Sequence, residues 1–143
     1  MNRHQFVLAA LAPAHGVPHS PVQVQKLLFL LDENIQDSAG GPHFNFEPYH
    51  YGPFDKEVYD VLQELETEGL VEIEPETLHR WNTYRLTREG QKAGEAILST
   101  LPQTAQTYMT TVSDFVRSLP FAQLVAAIYK AYPHMKANSV FQE

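Results

Sequence analysis

The stretch from Tyr49 to Leu86 constrains the fold more than any other part of the chain. Apolar residues recur at three- and four-residue spacing over Asp55–Glu68, which predicts a helix with one buried stripe and an aspartate at its N-cap. Gly69 follows where a left-handed residue commonly ends a helix. Residues 70–74 have the alternation of a half-buried strand, and residues 83–86 form a second candidate strand beyond a polar tip. A helix followed by a two-stranded ribbon is therefore expected.

Two sets of residues in and around this stretch resemble known families. "LQELETEGLVEIE" and "TYRLTREGQ", between Leu62 and Gln91, resemble the end of PadR and MarR winged-helix regulators, in which a helix precedes a two-stranded wing. "QKLLFLL" at Gln25–Leu31 and "YGPFDKEVYDVL" at Tyr51–Leu62 are similar to uncharacterised bacterial winged-helix proteins and to the Panacea antitoxin domain. The resemblance covers about residues 20–92 and implies the fold more specifically than the function.

The remaining pattern predicts a mainly α protein with a small antiparallel β-wing. We expect a winged helix-turn-helix domain over residues 1–100, and a helical extension over residues 101–143 that packs on it or forms a homodimer seam. Residues 36–42 are predicted to be a loop. Residues 43–47 are predicted to be a short strand, which could join the wing as a third strand. The other predicted helices span residues 2–14, 20–35, 87–101, 104–119 and 121–132.

The composition is that of a soluble single domain of 143 residues with 43% hydrophobic content. No apolar run is long enough to span a bilayer, and the first residues lack a signal-peptide pattern. The absence of cysteine excludes disulfides and thiolate metal sites, and fits a cytoplasmic protein. A net charge of −7 argues against non-specific adhesion to nucleic acid or anionic lipid.

The resemblance to winged-helix regulators implies that the helix before the wing binds DNA, with the wing on the flanking backbone. On this hypothesis Lys56, Tyr59 and Gln63 reach base edges. Arg80 and Arg85 contact phosphates, because the chain from the wing tip into the next helix carries four basic residues and one acid. The function would then be that of a transcriptional regulator or autorepressor.

The charge of the same helix supports a second hypothesis. Nine acidic residues and one basic residue lie between Phe54 and Glu76, so DNA phosphates would repel this segment. An antitoxin-like protein-interaction module would instead use Glu57, Asp60 and Glu64 against a basic partner protein, without binding DNA. Both hypotheses stay open at the level of sequence.

Six aromatic residues lie between positions 44 and 59, and they allow two interpretations. They can pack in the core against the second helix, because rings bury a large apolar area. Alternatively, Tyr49 and Tyr51 are partly exposed and add to a protein-binding surface. Gly52 and Pro53 are predicted to shape the turn before the helix. The six residues are Phe44, Phe46, Tyr49, Tyr51, Phe54 and Tyr59.

No motif in the sequence predicts catalysis or cofactor binding. HExxH, GxSxG, P-loop and GxGxxG patterns are all absent, so an enzyme is not expected and no cofactor is predicted. His43, Glu47 and His50 lie near one another in sequence and suggest an ion site. Structural metal sites usually have a tighter set that often contains cysteine, so exposed histidines are the preferred interpretation and no metal ligand is predicted.

Overall fold

The computed structural model of the protein describes residues 1–76, 78 and 81–142, and it is mainly α-helical with two small antiparallel sheets. This confirms the predicted fold class. The helices are α1 (Arg3–Leu11), α2 (Pro21–Asn34), α3 (Gln36–Ala39), α4 (Glu57–Thr67), α5 (Arg88–Leu98), α6 (Gln103–Ser118) and α7 (Phe121–Ala131). The strands are β1 (Glu47–Tyr49), β2 (Gly52–Phe54), β3 (Val71–Glu76) and β4 (Trp81–Leu86). Within the described residues, no helix is both long and apolar enough to cross a membrane.

The helix boundaries follow local capping chemistry. Ser20 Oγ accepts from the Gln23 amide at 3.2 Å, and Gln23 Oε1 accepts from the Ser20 amide at 2.9 Å, which forms a capping box at the start of α2. Thr87 Oγ1 accepts from the Gly90 amide at 3.0 Å and caps α5. After α4, Gly69 has a φ of +79°, as predicted for a left-handed C-terminal position.

The β3–β4 hairpin, called the wing below, covers the end of the helical core. Ile73 pairs with Tyr84 in the antiparallel register, and Val71 pairs with Leu86. Tyr84 also exchanges two backbone hydrogen bonds with His19, at 2.8 and 2.9 Å. His19 therefore supplies a short third segment to the wing from the chain just before α2.

The predicted strand at residues 43–47 is wrong in its position and its pairing. The amides of His43 and Phe44 donate to the Asp32 carboxylate at 2.7 and 2.9 Å, and the Asn45 amide donates to Asp55 at 2.8 Å. Amides held by side-chain carboxylates are not available to a β-ladder. The strand begins only at Glu47 and pairs with β2 in a separate hairpin, not with the wing.

The predicted loop at residues 36–42 contains one helical turn, α3. The Ala39 amide donates to the Ile35 carbonyl at 3.0 Å. Gly40, with a φ of +72°, ends this turn. The connection between α2 and α4 therefore consists of a helical turn and the β1–β2 hairpin, and is not a short turn.

The helices after the wing contribute to the same core as those before it. Met109, Val112 and Val116 of α6 are buried and belong to the core cluster that includes α1, α2 and α4. Phe115 of the same helix is 40% exposed, because the buried stripe of α6 is centred on the residues three and six positions before it. Dimerisation through these helices stays a prediction.

The tail after α7 returns to the β1–β2 hairpin. The Val140 amide donates to the His50 carbonyl at 2.9 Å, and Asn138 Nδ2 donates to the Pro48 carbonyl at 3.2 Å. The Phe141 ring contacts the rings of Phe121 and Tyr129. These contacts fix the hairpin against α7.

Candidate protein interface

One face of α4 carries a stripe of carboxylates that points to solvent. Val58, Val61, Leu62 and Leu65 occupy the opposite face and are buried, as their spacing predicted. Burying that stripe leaves the intervening acids outside, because residues three, four and seven apart share a helix face. The exposed acids of this stripe are Glu57, Asp60 and Glu64, called the acidic stripe below.

Helix α1 supplies two basic groups to the acidic stripe. Arg3 Nη1 lies 3.1 Å from Glu57 Oε1, and His4 Nε2 lies 2.8 Å from Glu64 Oε2. Asp60, between them, forms no ion pair with any residue that the structure describes. Solvent-exposed pairs of this kind contribute little to stability, so the stripe keeps its capacity to bind a cationic partner.

The residues of α4 proposed for DNA contact do not all face the same way. Lys56 and Gln63 are exposed and lie two helical turns apart. Tyr59 instead turns toward the wing, where its ring stacks on Tyr84 with centroids 5.8 Å apart and lies 6.0 Å from Phe54. Burial raises the pKa of Tyr59 to about 12. The Tyr59 ring is half-buried between the wing and the hairpin, and its contact with DNA stays a prediction.

The wing presents paired charges where free cations were expected. Arg85 Nη2 lies 2.9 Å from Glu72 Oε2 and 3.1 Å from Glu74 Oε1. The two neighbouring carboxylates raise the pKa of Arg85 and outnumber its charge. A phosphate would have to displace them to bind Arg85. Arg80, the other proposed phosphate contact, lies outside the described residues.

Next to the start of α4, the β1–β2 hairpin exposes two tyrosines. Tyr49 is 48% exposed and Tyr51 is 42% exposed. The Tyr49 ring stacks on the rings of His50 and Phe54, with centroids 4.2 and 4.8 Å away. Phe44 is buried, so the aromatic cluster divides between core and surface. The interpretation in which Tyr49 and Tyr51 are partly exposed agrees with this geometry.

Two polar residues of α2 hold the hairpin and the start of α4 in place. Lys26 is only 3% exposed, and its Nζ donates to the Pro53 carbonyl at 3.2 Å. Burial lowers the pKa of Lys26 to about 7. Gln25 exchanges two hydrogen bonds of 3.0 Å with the backbone of Asp55. The sequence analysis did not predict either role. The signal that could have indicated it is a polar pair, Gln25 and Lys26, directly before the five apolar residues Leu27–Leu31 of a buried helix.

Gly52 allows the hairpin to lie directly over Lys26. Its φ is +104°, as its predicted structural role requires, and an added Cβ would meet Lys26 Cε at 3.3 Å and Tyr129 Cε1 at 3.5 Å. A side chain at this position would strain the backbone and separate the hairpin from α2. Close packing against α2 and α7 therefore explains why the Tyr51-Gly52-Pro53-Phe54 motif has a glycine.

The histidines considered for metal binding have other contacts. His43 Nε2 lies 2.7 Å from the Ala39 carbonyl, and its ring stacks on Phe6. The His50 ring stacks on Tyr49. In the part of the chain that the structure describes, no three metal-binding side chains come together.

Comparison with known proteins does not extend this description. No protein-family model matches the chain, and no curated protein matches its sequence.

Proposed function

We propose that this chain is a non-enzymatic regulatory protein of the cytoplasm that binds a basic partner protein through the acidic stripe and the neighbouring tyrosines. The observation that carries the proposal is the exposure of Glu57, Asp60 and Glu64 on one face of α4. A positively charged partner is attracted to such a face, and Tyr49 and Tyr51 provide the aromatic contacts that commonly dominate binding energy. This corresponds to an antitoxin-like interaction module.

The charges around α4 also argue against DNA as the main partner. A helix in the major groove lies between two rows of phosphates, and binding depends strongly on lysine and arginine contacts. Here Lys56 is the one exposed cation that α4 offers at its start, while Arg85 is occupied by two glutamates. Within α4 and the described part of the wing these cations do not offset the repulsion, although Arg88 is exposed at the start of α5.

DNA binding as a transcriptional regulator is retained as the second candidate function, because of the order of the elements. Helix α1, the His19 segment, α2, α4 and the wing occur in the order of a winged helix, with α3 and the β1–β2 hairpin between α2 and α4. Lys56 and Gln63 are exposed on the helix that precedes the wing. These two features support a groove contact by α4, although the acids beside them oppose it.

A charge-reversal experiment tests the first function. The tagged protein is expressed in its native cells, and co-purifying proteins are identified and quantified by mass spectrometry. We expect a basic protein to be retained by the native chain and lost with Glu57→Lys/Asp60→Lys. The matched control is Glu33→Lys/Asp37→Lys, which makes the same charge change at exposed positions near the end of α2. Circular dichroism establishes that both variants are folded.

Two results would overturn this function. One is a partner that both double variants lose equally, because the acidic stripe would then have no special role. The other is tight, sequence-dependent binding of a DNA duplex from the upstream region of its own gene, weakened steeply by salt. In that case Lys56→Ala and Gln63→Ala should reduce DNA binding.

A further inference from the structure

Three neighbouring cavities lie around the β1–β2 hairpin, and each shares lining residues with the next. The first has a volume of about 470 Å³ and lies between the start of α2, the hairpin, the wing and α7. The second, about 160 Å³, shares Pro21, Val22 and Tyr51 with the first. The third, about 340 Å³, shares Tyr49 and Phe54 with the second and reaches the start of α4. This surface is called the trough below.

The end of the trough that the first cavity forms is apolar. Tyr51, Trp81 and Phe121 come from the hairpin, the wing and α7, and each is between 42% and 46% exposed. The rings of Tyr51 and Phe121 contact edge to face with centroids 5.2 Å apart. Large aromatic residues that converge from separate elements and stay exposed are typical of binding hot spots.

The opposite end of the trough, formed by the third cavity, is acidic. Its lining includes Glu47, Asp55 and Glu57 with Lys56 as the one cation. The Asp55 carboxylate is occupied by the amides of Asn45 and Glu57. Glu47 forms no ion pair within the described part of the chain and is exposed. Asp60, one turn further along α4, extends the negative surface.

We propose that the trough binds an extended segment of the basic partner protein. A large apolar side chain of that segment lies between Tyr51, Trp81 and Phe121, and its lysines or arginines lie beside Glu47 and Glu57. The proposal rests on the proposed function and identifies the part of the partner that is recognised. Charge complementarity selects this occupant, because a second copy of this chain, with a net charge of −7, would bring like charges to the acidic end.

The trough is fixed before binding. Lys26 holds Pro53 from below, the Val140 amide holds His50 from the tail, and Phe141 packs against Phe121. A wall that does not have to be ordered costs little conformational entropy on binding, which favours a short linear segment as ligand.

Selection from a random 12-residue peptide display library tests the proposal. We expect enriched peptides to combine a large apolar residue with lysine or arginine. For a representative synthetic peptide, measured by fluorescence anisotropy, Tyr51→Ser and Phe121→Ser should each weaken binding at least tenfold. Glu47→Lys should weaken it and reduce its salt dependence. The matched control is Phe115→Ser, which removes an aromatic residue of similar exposure on α6, outside the trough.

The contrary outcomes separate this proposal from the proposed function. Enriched peptides without basic residues, or peptides that bind Phe121→Ser and Phe115→Ser equally well, would overturn the trough. If Glu57→Lys/Asp60→Lys loses the cellular partner while Tyr51→Ser and Phe121→Ser retain it, the acidic residues bind the partner and the apolar end of the trough does not, which overturns the proposal. A concentration-dependent dimer that Phe121→Ser abolishes would assign the trough to a second copy and overturn the proposal.

Discussion

At the scale of single residues, Lys26 and His19 are buried basic groups that make the stability of the fold depend on pH. Lys26 donates a hydrogen bond to the Pro53 carbonyl, and burial lowers its pKa to about 7. Neither ring nitrogen of His19 has a hydrogen-bond partner among the described residues, and burial lowers its pKa to about 4. Each group is more easily protonated in the unfolded chain than in the folded protein.

For Lys26, we expect the free energy of unfolding to rise with pH from about 7 upward. Above the folded pKa of about 7 and below the unfolded value of 10.5, the unfolded chain holds a proton that the folded protein lacks. Comparing Lys26→Met with the native protein by urea unfolding should reveal a difference that changes by about 3 kcal/mol between pH 7 and 9.5. Lys56→Met, at an exposed position, should give a constant difference. A constant difference for Lys26→Met as well would contradict the buried amine.

For His19, the pH window lies lower. The folded pKa of about 4 is below the unfolded value of 6.5, so stability is complete above pH 6.5 and falls as the pH drops toward 4. We expect His19→Gln to remove about 3 kcal/mol of this acid sensitivity in urea unfolding. His15→Gln, at an exposed site, serves as the control. If both variants keep the native acid profile, another group causes the loss.

At the scale of elements, α5 packs on the wing and on α1 so closely that glycine is required. A Cβ added to Gly90 would overlap the Leu70 carbonyl, and one added to Gly94 would lie 2.5 Å from the Leu8 carbonyl. Gly90 lies in the "TYRLTREGQ" motif together with Thr87. The Thr87 hydroxyl donates to the Gly69 carbonyl at 2.7 Å. The junction between the wing and α5 is thus formed by backbone contacts.

Replacing Gly90 with alanine separates helix propensity from packing, because the two act in opposite directions. Propensity alone would stabilise α5 by up to about 1 kcal/mol. The overlap with Leu70 should instead destabilise the protein by about 3 kcal/mol or prevent folding. Thermal unfolding of Gly90→Ala and of Lys92→Ala, an exposed change on the same helix, measures the sign. A stabilised Gly90→Ala variant would show that α5 does not approach the wing this closely.

How far sequence could predict each element depended on the range of its interactions. The caps at Ser20 and Thr87 and the turn at Gly69 were predictable because each depends on residues within four positions. The two wing strands were predictable because the alternation of apolar and polar residues is also a local pattern. The start of β1 was not, because Asp32 and Asp55 bind the preceding amides from positions at least ten residues away.

The negative charge of the candidate site was predictable from the sequence, but the direction of its aromatic side chains was not. The helical spacing of the apolar residues leaves Glu57, Asp60 and Glu64 outside the buried stripe of α4, and all three are exposed. The inward turn of Tyr59 depends on Tyr84, 25 positions later, and local periodicity carries no information about such a partner. Aromatic residues suit both core and surface, so only the assembled fold decides their exposure.

At the scale of the whole molecule, segments far apart in the sequence pack into one structure. α6 packs in the core with α1 and α2, and the tail bonds to the β1–β2 hairpin near the middle of the sequence. The surface proposed for partner binding is therefore assembled from α2, the hairpin, the wing and α7 together. Changes far away in sequence should affect it through the tail.

Removing the Phe141 ring tests this long-range support. Phe141→Ala deletes contacts with Phe121 and Tyr129, and we expect a loss of about 1 kcal/mol because the ring is only partly buried. Amide hydrogen exchange should become faster at residues 47–54 while the α1 and α2 amides keep their protection. Gln142→Ala is the control. Unchanged exchange in the hairpin would show that the tail does not restrain it.

The hydrogen bonds between Gln25 and the Asp55 backbone have a consequence for how such a protein can diversify. They fasten the far end of the connection between α2 and α4, so the helices keep their places whatever lies between them. Lengthening a connection with fixed ends costs only about 0.6 kcal/mol for each doubling. We therefore expect insertions to be tolerated best at residues 36–41, which precede the amides held by Asp32 and the hairpin, with the surrounding scaffold left intact.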